Sequence, residues 1–145
     1  MDNVTLVAGP PCSGKTTWVT EQRGKHDIVI DADLIASAIG SPETHGHQPF
    51  VWPFVRAMVD AAISTARRTG HNPEIVDQVP HIWIIRGAPT REERDSYPHA
   101  IIILTDEKTC RRRALDAGRP AVWGDLITNW WANYRLSPRD TIIDG

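Results

Sequence analysis

Short apolar runs alternate with longer amphipathic stretches along the chain. Residues 4–8 (VTLVA), 27–31 (DIVID), 81–85 (HIWII) and 100–104 (AIIIL) are brief, rich in β-branched side chains and bounded by turn residues, which predicts buried strands. Residues 74–77 (EIVD) are a weaker version of the same pattern, and 141–145 (TIIDG) suit a short edge strand. Between these runs the apolar period lengthens to that of a helix. Residues 17–23 predict a helix ended by Gly24, and 34–39 a short one stopped by Gly40. The longest helical pattern covers 50–69: Phe54, Val55, Met58, Val59, Ala62, Ile63 and Ala66 recur at i, i+3, i+4 spacing and form the expected core face, with Arg56, Asp60, Arg67 and Arg68 opposite. Thr90 is expected to cap a helix through Tyr97, with Glu93 at the capping-box position. Thr105 is expected to cap a helix over 106–117 that ends at Gly118. A last helix runs from about 121 to 135.

Strands alternating with helices predict an α/β fold with a doubly wound, mostly parallel sheet. The 145 residues make one domain, 1–145. Where the first strand hands over to the first helix the chain reads G-P-P-C-S-G-K-T, residues 9–16. Every fixed position of the phosphate-loop pattern G-x-x-x-x-G-K-S/T is present, in the strand–loop–helix context that the pattern requires. This is the signature of the P-loop NTPase fold. Gly9 and Gly14 let the backbone turn where a Cβ would clash, so that successive N–H groups can point inward and cradle phosphate oxygens, and the expected nucleotide-binding stretch is Gly9, Pro10, Pro11, Cys12, Ser13, Gly14, Lys15, Thr16 and Thr17. Lys15 is placed for the β- and γ-phosphates, and the Thr16 hydroxyl for Mg²⁺. A nucleoside triphosphate, read as ATP, and Mg²⁺ are the implied cofactors.

Composition narrows the partners. The formal charge is −2, so no broad basic face is expected. Cys12 and Cys110 are too few for a disulfide framework, which favours a reducing, cytoplasmic setting, the host cytoplasm if the gene is phage-borne. The start, MDNV, has no signal-peptide pattern, and no apolar run approaches a membrane span. The basic residues are mostly Arg, as a GC-rich genome would also produce.

Several residues extend the chemistry beyond the loop. Ligands of open α/β sheets sit beyond the carboxyl ends of the strands, where Asp31 and Asp33 follow the second strand. An aspartate there can take a proton from an attacking hydroxyl; Asp33 is the first choice and Asp31 the second. Arg113 and Arg119 straddle a helix end containing Gly118, which suits an arginine closing over the transferred phosphate, with a lid at about 111–120. Arg111 and Arg112 read as a solvated basic face. The third strand is expected to end in a metal-orienting acid but ends in Arg86, which leaves Asp31, Asp77 or the phosphates themselves to hold Mg²⁺. Arg86 is placed either for an anionic substrate or for pairing with Glu92 or Glu93. His45 and His47, in the loop 41–49, read as solvated histidines. Trp52, Trp83, Trp130 and Trp131 are candidate stacking surfaces whose ordinary role would be core packing.

Together these motifs resemble the small P-loop kinases related to phage-type polynucleotide 5′-hydroxyl kinases and zeta toxins. G-P-P-C-S-G-K-T-T-W is similar to their phosphate loop, I-V-I-D-A-D-L-I to their second strand with its substrate aspartate, and R-R-A-L-D-A-G-R-P-A-V-W to their lid. The resemblance implies Asp33 as general base and Arg119 as lid arginine. It departs at Ala36, where the family often has a phosphate-gripping arginine, and at Arg86-Gly87-Ala88-Pro89, where it tends to have D-A-T-N. The expectation is an ATP- and Mg²⁺-dependent kinase of a hydroxyl on nucleic acid, at a 5′ end or a hydroxylated base. The alternatives are a kinase of a nucleoside, nucleotide or other small metabolite, and an NTP-binding regulatory module without transfer.

Overall fold

A computed structural model describes residues 3–43, 47–70, 74 and 80–145. His45, Asp77 and most of the weak strand pattern at 74–77 lie outside the described residues; Glu74 is in a turn. The element order is β1 (Val4–Ala8), α1 (Lys15–Gln22), β2 (Ile28–Asp31), α2 (Ala32–Ala38), a single 3₁₀ turn (Pro49–Val51), α3 (Trp52–Gly70), β3 (Ile82–Arg86), α4 (Arg91–Asp95), β4 (Ala100–Leu104), α5 (Glu107–Asp116), α6 (Val122–Asn133) and β5 (Thr141–Asp144). The five strands form one sheet in the order β2-β3-β1-β4-β5. Every pairing is parallel. The expected P-loop α/β architecture is therefore present, with a sheet that is wholly rather than mostly parallel.

β1 is the central strand and is buried along its whole length. Its alternate side chains serve two cores, as the period of a strand demands. Val4 and Leu6 pack with Ile82, Ile84, Val55, Val59 and Ala36 beneath α2 and α3. Val7 packs with Ile85, Ile103 and Val19 beneath α1. Trp18 and Trp83 close the edge of that second core with ring centroids 6.0 Å apart. The Trp83 indole donates to Asp27 Oδ2 at 3.1 Å, so this ring is structural rather than a stacking surface.

Several local expectations are corrected. β2 is the sheet edge, and its residues are half-buried or exposed rather than core. The apolar face of α3 divides: Val55, Val59, Ile63 and Ala66 are buried, but Phe54 and Met58 are 65% and 48% exposed. A helix lying on a sheet buries only a narrow stripe, and these two lie beyond it. The cap of α5 is Asp106, whose carboxylate accepts from Thr109 N at 2.9 Å. Thr105 is instead buried, its hydroxyl donating to Ser13 O at 2.8 Å and tying β4 to the phosphate loop. The helix capped by Thr90 stops at Asp95, and Tyr97 lies beyond it in the core. Trp123, Ile127 and Trp130 of α6 are buried, while Trp131 and Tyr134 are half-buried.

Candidate active site

The phosphate loop leaves β1 at Gly9 and enters α1 at Lys15. A Cβ on Gly9 would lie 2.4 Å from the Ile103 carbonyl oxygen, so no other residue fits there. Gly14 takes φ 93 as the residue before the helix, and Cys12 takes φ 62, an unusual conformation for a side-chain-bearing residue. α1 has no side-chain cap, which leaves its first-turn N–H groups directed at whatever lies at its N-terminus. The buried Ser13 hydroxyl has no hydrogen-bond partner among the described residues. These unspent donors fit a polyphosphate.

Lys15 is buried, its ammonium donating to the Gly9 and Pro10 carbonyls at 2.8 Å each. Burial lowers its pKa to about 8, against the opposing pull of Asp33 and Asp31. Arg113 Nη1 donates to Cys12 O at 3.1 Å, which ties this guanidinium to the loop. Burial raises the Cys12 pKa despite Arg119, Lys15 and Arg113 nearby, so the loop cysteine is a thiol rather than a thiolate. The Cys110 thiol, under α5, is pushed up to about 11 by burial.

Arg119 occupies the turn between α5 and α6. Gly118 has φ 66 and Arg119 N donates back to Ala114 O at 2.9 Å, a left-handed helix stop. The Arg119 guanidinium lies over the Trp123 ring, 4.7 Å from its centroid. Arg111 is tied to Glu107 and to Thr128 of α6, which makes it a brace between the two helices rather than free solvated surface. α5, the turn and α6 thus carry Arg113 and Arg119 beside the phosphate loop.

Asp31 and Asp33 part company. Asp31 caps α2: its Oδ1 accepts from Asp33 N at 2.9 Å and Leu34 N at 3.4 Å. Burial and the neighbouring Asp33 raise its pKa. Asp33, one residue into the helix, carries its carboxylate away from that cap. Its Oδ1 lies 2.9 Å from His47 Nε2, and His47 Nδ1 lies 2.6 Å from Ser41 Oγ, which donates to Glu43 Oε2 at 3.0 Å. His47 is buried rather than solvated, and Ser41 and Asp33 give both its ring nitrogens polar partners. Its ring meets Trp52 edge-on with centroids 5.4 Å apart. Single-residue reading misses this histidine, since its partners Ser41 and Asp33 lie 6 and 14 positions away in the sequence.

Trp52 also meets Arg86, whose guanidinium lies 5.3 Å from the ring centroid. Of the two roles open to Arg86 in the sequence, the pairing exists: Nη2 lies 2.9 Å from Glu93 Oε2. Arg56 Nη2 reaches the same carboxylate at 3.2 Å. Trp130 is buried, stacked on Tyr134 and donating to Gly87 O at 2.9 Å, so it too is packing rather than a free stacking surface. Asp33, Trp52, Arg86 and Pro11 of the phosphate loop line a single cavity of about 830 Å³. Among the described residues no cluster of three or more His, Cys, Asp or Glu is placed to hold a metal. Mg²⁺ would rest on Thr16, the phosphates and water, which suits its hydration. No helix of the described residues is long and apolar enough to cross a membrane.

No family model matches the chain, and no curated protein matches it. Solved structures do. A Thermus thermophilus protein matches with TM-score 0.57 and 12% identity, covering 99% of this chain and 88% of its own. An unliganded sugar kinase from Janibacter matches with TM-score 0.56 and 19% identity over 100% of this chain and 85% of its own. A gluconokinase from Sinorhizobium meliloti matches with TM-score 0.56 and 17% identity over 97% and 81%. At such identities the likeness establishes the fold. The two that are named by activity are a sugar kinase and a gluconokinase, not polynucleotide kinases.

Proposed function

We propose that this protein is an ATP- and Mg²⁺-dependent phosphotransferase acting on a hydroxyl of a small metabolite. The observation that carries the reading is the placement of Asp33: it lines a space of about 830 Å³ together with Pro11 of the phosphate loop, and its charge acts on the buried Lys15. That volume lies in the range of small-molecule sites. In the proposed reaction the acceptor hydroxyl gives its proton to Asp33, its oxygen forms a bond to the γ-phosphorus, and the bond from that phosphorus to the β,γ-bridging oxygen breaks to release ADP. Lys15 would hold the β- and γ-phosphates, Arg119 would stand over the charge spread on the transferring group, Arg113 would contribute to nucleotide binding, and Thr16 would take Mg²⁺. Asp33 is the stronger candidate base because it lines the cavity, whereas the Asp31 carboxylate is turned to capping its own helix.

A small acceptor is favoured over a nucleic-acid hydroxyl. Two of the four tryptophans that offered stacking surfaces, Trp83 and Trp130, are engaged in packing and hydrogen bonds. The fold is also shared with a sugar kinase and a gluconokinase. The test is transfer of label from γ-labelled ATP to a panel of sugars, polyols, sugar acids and nucleosides, with 5′-hydroxyl and hydroxymethyl-base oligonucleotides alongside. Label on a small molecule is expected. Label confined to oligonucleotides restores the nucleic-acid reading, and tight MgATP binding with no acceptor labelled points to a regulatory module.

A further inference from the structure

The acceptor cavity is strongly biased in charge. Five arginines line it against two carboxylates, Asp33 and Glu93. Glu93 is shared: Arg86 and Arg56 both pair with it, so two guanidiniums face one carboxylate. The Arg86 side chain is only 15% exposed, and its Nε is a buried donor with no acceptor among the described residues. Arg94, which also lines the cavity, is 3% exposed. It pairs with the fully buried Asp140 and donates to Tyr97 O at 3.3 Å, yet its Nη2 has no acceptor among the described residues. Buried donors are nearly always matched in folded proteins, so these two arginines, both of which line the cavity, are short of acceptors where they stand. A charged, desolvated guanidinium asks for an anion above all.

We propose that the acceptor carries, besides its hydroxyl, an anionic group (a carboxylate or a phosphate ester), and that Arg86 and Arg56 receive it, with Arg94 completing the cationic wall. Trp52 touches both Arg86 and His47, the partner of Asp33, and Asp33, Trp52, Arg56 and Arg86 line the same cavity, so one molecule lying there would present its anion to Arg86 and its hydroxyl to Asp33. This rests on the phosphotransfer reading above. A neutral polyol of the same size leaves the arginine donors unmatched, and a site built around such donors discriminates against the ligand that lacks their partner.

The experiment uses protein saturated with Mg²⁺ and a non-hydrolysable ATP analogue, so that the phosphate loop is filled and does not itself take the anion. Calorimetry then compares matched probes: gluconate with glucitol, glycerate with glycerol, and glycerol phosphate with glycerol. The carboxylate and phosphate arms distinguish the two kinds of anion. At least one anion is expected to bind roughly 10- to 100-fold more tightly than its neutral partner. Arg86→Gln should erase most of that preference while leaving affinity for the ATP analogue unchanged. Arg56→Gln, at an exposed position that tolerates change, should erase part of it. Equal binding of acid and polyol, no binding of any anion, or a preference that survives both substitutions overturns the proposal. Labelled transfer run in parallel separates it from the parent reading: anion binding without transfer defeats the phosphotransferase, and transfer to polyols as fast as to their acids defeats the anion site alone.

Discussion

His47 Nε2 lies 2.9 Å from Asp33 Oδ1, so the carboxylate assigned to the acceptor hydroxyl is held by a buried imidazole from a different segment. The imidazole is itself anchored by Ser41 through its other nitrogen. Asp33 is therefore oriented by a ring that itself packs perpendicular to Trp52. A base held in this way needs little reorganisation when the hydroxyl arrives.

Replacing His47 tests that support. His47→Ala should lower kcat by roughly 10²-fold while MgATP affinity stays at the wild-type level. His47→Gln, which can still donate one hydrogen bond to Asp33, should recover part of the loss. A drop in nucleotide affinity of the same size as the drop in kcat would show general damage to the fold instead.

Lys15 links nucleotide binding to pH. Burial holds its folded pKa at about 8, below the ordinary 10.5. A bound triphosphate favours the charged amine, so binding takes up a proton between these values, and MgATP affinity should fall as pH rises above about 8. In the same window the unfolded chain binds the proton more tightly than the folded one, so stability without nucleotide should rise with pH from about 8 towards 10.5. Calorimetric affinities and denaturant midpoints across this range check both signs. A Lys15→Met variant should bind weakly throughout and lose both dependences.

The two lid arginines should separate kinetically. Arg113 contacts the loop carbonyl of Cys12, whereas Arg119 rests on Trp123 at the turn. Arg119→Ala is expected to lower kcat by ~10³-fold with a small change in nucleotide affinity, as for an arginine that meets the transferring phosphate. Arg113→Ala should act mainly on affinity. If the Arg119 effect lies in KM alone, that residue belongs to nucleotide binding.

Arg94 and Asp140 form a buried ion pair joining α4 to the segment before β5. Asp140 also accepts from Ser137 N at 2.8 Å. Asp140→Ala should cost about 3–5 kcal/mol of stability, because it leaves a buried guanidinium without its counter-charge. Urea unfolding measures this directly, and a change below about 1 kcal/mol, the scale of a surface pair, would contradict the burial.

What could be read from the chain follows from how local each signal is. The phosphate loop was legible because its glycines, lysine and threonine act within eight consecutive residues between a strand and a helix. The sheet was legible because each inner strand is a compact apolar run. Asp33 as base and Arg119 as lid arginine were likewise proposed from sequence and remain proposals. The acceptor side was harder, because its contacts are long-range. His47 reads as a loop histidine until Ser41 and Asp33 close around it. Arg94 reads as one more helix arginine until Asp140, 46 positions away, is found against it. Phe54 and Met58 satisfy the helical period yet face outward, since periodicity does not say how wide the buried stripe is.

The division of labour between the phosphate loop and Asp33 is tested most directly by Asp33→Asn. MgATP affinity is measured by calorimetry, and transfer from γ-labelled ATP to the best small acceptor is followed in a single turnover. The expected result is wild-type MgATP affinity with transfer slowed by roughly 10²- to 10⁴-fold. Transfer within tenfold of wild type, or its loss in Asp31→Asn instead, would contradict the assignment.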